Sequence, residues 1–243
     1  MIDPWLLLGA FILLAYTVEA VTGFGSIVIA LSLGALLLPI PELLPVLVPL
    51  NIFQSGYLTF RYRDRIHLPT LVRLILPLMA AGTVLGYVLR PALEGAALKT
   101  LFGVLIVWFA ARELWRMWRG AESARHGPLV TRGLMLAAGV THGLFASGGP
   151  LLVYGLAGTA LDKARLRATL IAVWLSLNGM LTVIFLADGS LLPALPRIAS
   201  YLPVVLAGLI AGEWLHRRID ERRFRQLVFA LIAVTGVLLA LPR

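Results

Sequence analysis

The chain of 243 residues contains no cysteine, which removes disulfide scaffolds, thiolate metal sites, iron–sulfur clusters and cysteine nucleophiles from consideration. Charge is scarce as well. Charged residues make up 14% of the sequence, with 12 acidic side chains against 21 basic ones. With 60% hydrophobic residues and a mean hydropathy of +0.92, there is too little polar surface to cover a water-soluble domain. No polar stretch is long enough for a second domain, and no nucleotide loop, metal-ligand cluster or catalytic triad is present. The basic residues sit in short connections with little aromatic interleaving, which is not a nucleic-acid footprint. Neither a cofactor nor a metal is expected. The sequence therefore reads as an all-α polytopic membrane protein, and as a non-enzyme.

What is present is a series of apolar runs: roughly 5–38, 43–60, 69–89, 96–118, 131–161, 166–187, 196–215 and 224–241. Most have the length of one membrane span, about 20 residues. The first and fifth are too long. As straight helices they would reach about 50 Å, against a hydrocarbon core of about 30 Å, so each must bend, break or double back. The start, Met1-Ile2-Asp3-Pro4, has no basic segment before its apolar run and reads as the first membrane element instead of a signal peptide.

The chain also contains itself twice. Leu76-Pro77, Gly82 and Gly86 match Leu202-Pro203, Gly208 and Gly212; Asn51 meets Asn178, and Gly25-Ser26-Ile27 meets Gly149-Pro150-Leu151. The halves are 1–120 and 127–243, joined by a basic connector at 121–126. Lys and Arg concentrate on the cytoplasmic side of membranes, and this orients the halves. Arg61, Arg63 and Arg65 place their loop inside, as do the connector and Lys163, Arg165 and Arg167; the turns at 39–42 and 188–197 fall outside. Both termini are expected outside. Equivalent loops then lie on opposite faces, the signature of two inverted-topology repeats, each with a broken, re-entrant first helix followed by three transmembrane helices. A plain eight-span protein with parallel repeats is the alternative, because Arg90 and Lys99 sit on the face assigned outside.

Each over-long run is interrupted by small residues, at Gly23-Phe24-Gly25-Ser26 and at Ser147-Gly148-Gly149-Pro150. Paired interruptions at corresponding places point to a substrate site near the bilayer midplane. Backbone that leaves the helix at that depth must be buried in protein or line a cavity. A helix restarting after each break directs free amides and the positive end of its dipole at the gap, which suits a small oxyanion. Ser26 and Ser147 add hydroxyls, and Pro150 suits a first helical position. The competing reading is that the small residues only let helices pack closely.

These features resemble the TauE/SafE sulfite exporter family of bacterial membrane transporters. The resemblance spans the whole chain and is carried by the two halves, the basic connector and above all by Gly143 to Pro150, ending Ser147-Gly148-Gly149-Pro150-Leu151-Leu152. The first copy departs from that pattern, since Phe24 interrupts the glycines and no proline follows. Membership implies movement of sulfite, sulfonates or related organic anions, usually outward, across the bacterial inner membrane.

Other candidates follow from position. Asn51 and Asn178 lie at matching depth, with Gln54 one turn after Asn51, and their amides can complete an oxyanion site or simply bond neighbouring helices. Glu19 and His142 each precede a break and are candidates for proton coupling, or for capping broken backbone. Tyr57 and Trp174, in the spans that carry the asparagines, are weaker candidates for lining the pathway. The function expected is a secondary transporter of a small sulfur-containing or organic anion, with the bilayer and protons as its other partners and its oligomeric state unread. A passive anion channel and a membrane scaffold subunit are the alternatives.

Overall fold

The computed structural model describes residues 3–93, 95–119, 127–156, 161–216, 218 and 221–241. The connector expected at 121–126 lies outside them. Ten helices follow in order: α1 (Pro4–Thr22), α2 (Ser26–Gly34), α3 (Ile40–Arg61), α4 (Leu68–Ala92), α5 (Ala96–Arg119), α6 (Pro128–Phe145), α7 (Gly149–Gly155), α8 (Lys163–Ala187), α9 (Leu191–His216) and α10 (Glu221–Ala240). There is no strand among the described residues. Five of the helices, α1, α3, α4, α8 and α9, are long and apolar enough to cross a membrane by themselves.

Local chemistry explains the helix limits. Asp3 caps α1 by accepting from Trp5 N at 3.0 Å, with Pro4 in the first turn, and Gly23 closes the helix in the left-handed conformation at φ 85°. α6 starts with Pro128 and ends on Ala146, also left-handed at φ 51°. Asp162 caps α8 through Arg165 N at 2.9 Å.

Both over-long runs double back. A Cβ on Gly34, at the end of α2, would lie 3.0 Å from Leu8 Cδ1 near the start of α1; one on Gly155, at the end of α7, would lie 3.2 Å from Leu134 Cβ of α6. The arms are unequal, however, where two short helices per run are expected from the sequence. α1 and α6 have 19 and 18 residues, about 28 Å of helix, while the returning arms α2 and α7 have only 9 and 7. The small residues of each break can terminate a helix but do not set where along a run the break falls.

The third helix of each half packs on the broken helix of the other: α4 on α6, and α9 on α1. The matched glycines make this possible. A Cβ on Gly82 would meet the Gly139 backbone at 2.9 Å, and one on Gly208 would meet the Leu13 carbonyl at 3.1 Å, so only glycine lets these helices approach so closely. α3 packs on α8 and α5 on α10. The outer surface carries large apolar side chains such as Leu6, Phe60, Trp118, Leu129 and Leu227, all more than two-thirds exposed, as suits a surface solvated by lipid. Trp108, Trp115 and Trp118 lie on that surface towards the connector.

Candidate functional site

The two breaks meet in one cavity. It is partly open, encloses about 300 Å³ of space between atoms, and is lined by Glu19, Phe24, Gly25, Ser26, Ile27, Val28, Asn51, Ala146, Ser147, Gly149, Trp174 and Asn178. α1 and α2 supply one wall, α6 and α7 the opposite one, and α3 and α8 cross behind, each presenting an asparagine. Those two helices pack on each other, so the asparagines meet: Asn178 Nδ2 donates to Asn51 Oδ1 at 2.7 Å.

At the first break the carboxylate of Glu19 is the organising group. It is 2% exposed, its Oε2 accepts from the Ser26 backbone N at 3.0 Å, and Asn51 Nδ2 donates to Oε1 and Oε2 at 2.9 and 3.1 Å. Asn51 Nδ2 also lies 2.9 Å from Ser26 Oγ as donor. The amide end of α2 is therefore occupied by a carboxyl group the chain supplies itself. That corrects the simplest reading of the sequence, in which this helix start faces a ligand unaided. Gly25, at φ 107°, gives the turn a conformation that brings Ser26 N back onto Glu19, one that residues with a Cβ rarely adopt.

The second break has the same outline and different chemistry. His142 stands four residues before the left-handed Ala146, as Glu19 stands four before Gly23; the carbonyls of both accept from the cap N–H, at 2.6 and 2.7 Å. α2 starts at Ser26 and α7 at Gly149, so helix limits pair Ser26 with Gly149, one position away from the register that residue matching gives. His142 is fully buried with its ring stacked on Trp174, centroids 6.1 Å apart. Neither ring nitrogen of His142 has a hydrogen-bond partner; nor do Trp174 Nε1 and Asn178 Oδ1. The Asn178 amide is close enough to influence the imidazole without forming a well-aligned bond to it. Ser147 turns its hydroxyl to the Phe145 carbonyl at 2.9 Å.

Several expected residues stand beside the cavity and do not line it. Gln54 donates to the Tyr16 carbonyl at 3.1 Å and ties α3 to α1. Tyr57 is 42% exposed and accepts from Arg61 Nη1 at 2.8 Å, on the outer surface. Gly23 forms the cap of α1, Pro150 the first turn of α7, and Gly148 packs against the Ala138 carbonyl. Sequence reasoning missed Ala146, Ile27 and Val28 in the lining, and it missed Arg167. From α8, that side chain reaches across to donate to the Ala20 carbonyl at 2.7 Å and packs over Gly23, a positive charge at the carbonyl end of α1. No spacing in the sequence links Arg167 to a residue 147 positions away. Among the described residues no group of His, Asp and Glu is placed to hold a metal ion.

The family described as sulfite exporter TauE/SafE matches residues 8–239. A protein of Comamonas testosteroni described as probable inner membrane transporter protein TsaS is 28% identical over 170 residues, covering 67% of this chain and 68% of its own length. No solved structure matches the chain.

Proposed function

Because the chain belongs to the sulfite exporter TauE/SafE family, and is thus a membrane transport protein, we propose that it is a secondary transporter of the bacterial inner membrane. Its cargo is a small sulfur-containing or organic anion such as sulfite or a sulfonate, carried outward. The observation that carries this reading is the meeting of two helix breaks in one polar cavity, joined at its back by the bond between Asn51 and Asn178. Uncharged donors hold an anion without a buried cation that would bind it too tightly to release.

An inverted repeat is supported by the packing: exchanging the two halves turns α4 on α6 into α9 on α1, and leaves α3 on α8 and α5 on α10 unchanged. Contacts between helix ends also join segments that the loop charges assign to one face. Arg61 pairs with Glu213 at 3.7 Å on the inner side, whereas Tyr87 bonds Asp188, and Arg197 lies over Trp5, on the outer side. Both termini are then outside and the connector is cytoplasmic. Transport proceeds by the halves rocking about the cavity. Glu19 couples it to protons, since a proton gained or lost by this buried carboxyl changes the hydrogen bonds it makes with Asn51 and, through Asn51, those of Asn178.

The test is flux from proteoliposomes loaded with sulfite, sulfoacetate or taurine, with and without an imposed proton gradient. Saturable anion flux that responds to the gradient is expected. Unitary currents indifferent to the gradient would replace the transporter by a passive channel, and the absence of any anion flux would overturn the proposal.

A further inference from the structure

The polar groups of the cavity are not equally satisfied, and the pattern has a direction. Ser26 N–H can only donate, so Glu19 Oε2 must accept. With Glu19 ionised its other oxygen also accepts, so Asn51 must turn its Nδ2 towards it, and the Asn51 Oδ1 is left facing Asn178. Asn178 answers with its own Nδ2, which leaves its Oδ1, buried and without a partner, on the wall of the cavity. Every amide orientation is thus dictated from the backbone of Ser26 outward. An unpartnered buried acceptor is costly unless a ligand satisfies it. Next to it stand donors equally without partners, Trp174 Nε1 and the His142 ring.

We propose that Asn51 and Asn178 form a relay that makes Asn178 Oδ1 the specificity element of the cavity, selecting anions that carry their own hydrogen-bond donor. This rests on the transport reading above. The anionic oxygens take the Trp174 Nε1 donor, against which the His142 ring is stacked, while an O–H or N–H of the same molecule fills Asn178 Oδ1. Hydroxy- or amino-substituted sulfonates and singly protonated oxyanions meet both demands; an isosteric anion without a donor leaves the acceptor empty.

The relay also reports the state of Glu19. A proton on Oε1 makes that oxygen a donor to Asn51 Oδ1. Both amides then turn over, Asn51 Nδ2 donates to Asn178 Oδ1, and the cavity is shown Asn178 Nδ2 in place of an acceptor. Among the described residues, the ionisable groups around Glu19 are Tyr16 on its own helix, Arg167 of α8 at the Ala20 carbonyl, Arg61 of α3 paired with Glu213 of α9, and His142 of α6 beyond Asn178. α2 contributes only Ser26.

The experiment compares isethionate with 1-propanesulfonate, two monoanions of similar size in which a hydroxyl replaces a methyl, by calorimetric titration of the purified full chain. The wild type should bind isethionate about tenfold more tightly, the effect of one buried hydrogen bond. In Glu19→Gln, Ser26 N–H fixes the new amide so that its nitrogen faces Asn51; the relay turns over and the preference should vanish or reverse. Asn178→Ser, whose hydroxyl both donates and accepts, should reduce it below about threefold and serves as the second variant should Glu19→Gln fail to fold. Equal binding of the two anions by the wild type overturns the relay and leaves the transport reading standing. So does a tenfold preference that persists in either variant. If neither anion binds, and no flux is seen with the wider anion panel, the transport reading falls and takes the inference with it.

Discussion

The two breaks share an outline and divide the work. Each is a long helix ended by a left-handed residue and a short helix that returns along it. At the first, two glycines with positive φ and a carboxylate fill the gap from within the chain. At the second, an alanine takes the left-handed position, a histidine takes the place of the glutamate, and the His142 ring, Trp174 Nε1 and Asn178 Oδ1 have no partners. The same outline has here produced one closed wall and one open wall. The closed side sets the hydrogen bonding that the open side displays, because the bond from Asn178 to Asn51 joins the polar groups of the two walls.

The sharpest way to break this comparison is to remove the two ionisable groups in turn. Glu19→Leu leaves Ser26 N–H buried and unpaired, at a cost of about 1–3 kcal/mol, and strips Asn51 Nδ2 of its bonds to the carboxyl, leaving it only Ser26 Oγ. His142→Leu removes a ring that makes no hydrogen bond, and replacing an unsatisfied buried polar group by an apolar one is close to neutral for stability. Thermal unfolding in detergent should therefore separate the two variants widely, with Glu19→Leu much the less stable. Similar losses in both would mean that the second break is as tightly built as the first.

The sequence made the breaks and the packing glycines legible because each leaves a mark that needs no third dimension: a run too long for the membrane, or small residues recurring at helical spacing. Asn51, Asn178, Glu19 and His142 could be found by depth alone. Helical phase decided the rest. Gln54 is turned about 60° from Asn51 around α3, and Tyr57 about 120°, so neither shares the face that meets α8. Register across the break slipped by one position because matching glycine to glycine ignores where helices end. Gly25 and Gly148 align by helix limits, yet one has φ 107° and the other −76°. The self-supplied carboxyl group was legible in its parts and not in its arrangement. Glu19 and Ser26 are seven residues apart, and only a left-handed turn brings them together.

A smaller effect sharpens the same comparison at the caps. Gly23→Ala imposes the left-handed penalty of about 1–2 kcal/mol and drives a Cβ into the Arg167 side chain, disturbing its bond to the Ala20 carbonyl. Ala146→Gly does the reverse. It releases the strain already present at φ 51°, for a gain of up to about 1 kcal/mol after the extra chain entropy of glycine is counted. Opposite signs in chemical or thermal unfolding are the expected result, and a destabilised Ala146→Gly would show that the alanine methyl is needed in the cavity wall.

The smallest expected effect lies at the helix ends, where the halves also differ. Arg61 and Asp188 close corresponding helices, α3 and α8, and each reaches the third helix of the other half: Arg61 to Glu213 on α9, Asp188 to Tyr87 on α4. The ion pair is 3.7 Å long between partly exposed side chains that solvent screens, so Arg61→Met should leave the melting temperature nearly unchanged. Asp188 is held differently. Partial burial alone would raise its pKa, but hydrogen bonds from Ser190 and Tyr87, aided by the charge of Arg90, outweigh it and leave the carboxyl below its ordinary value. A depressed carboxylate stabilises the fold at any pH above its unfolded pKa, about 3.9, and loses that contribution as pH falls through the lower folded value. The gap in melting temperature between the wild type and Asp188→Asn should accordingly stay constant from neutral pH down to about pH 5 and close on further acidification. Tyr87→Phe removes one of the bonds and should make the gap narrower at neutral pH and close it at a higher pH. A gap that widens in acid would reverse the sign of the argument and assign Asp188 a proton in the folded state.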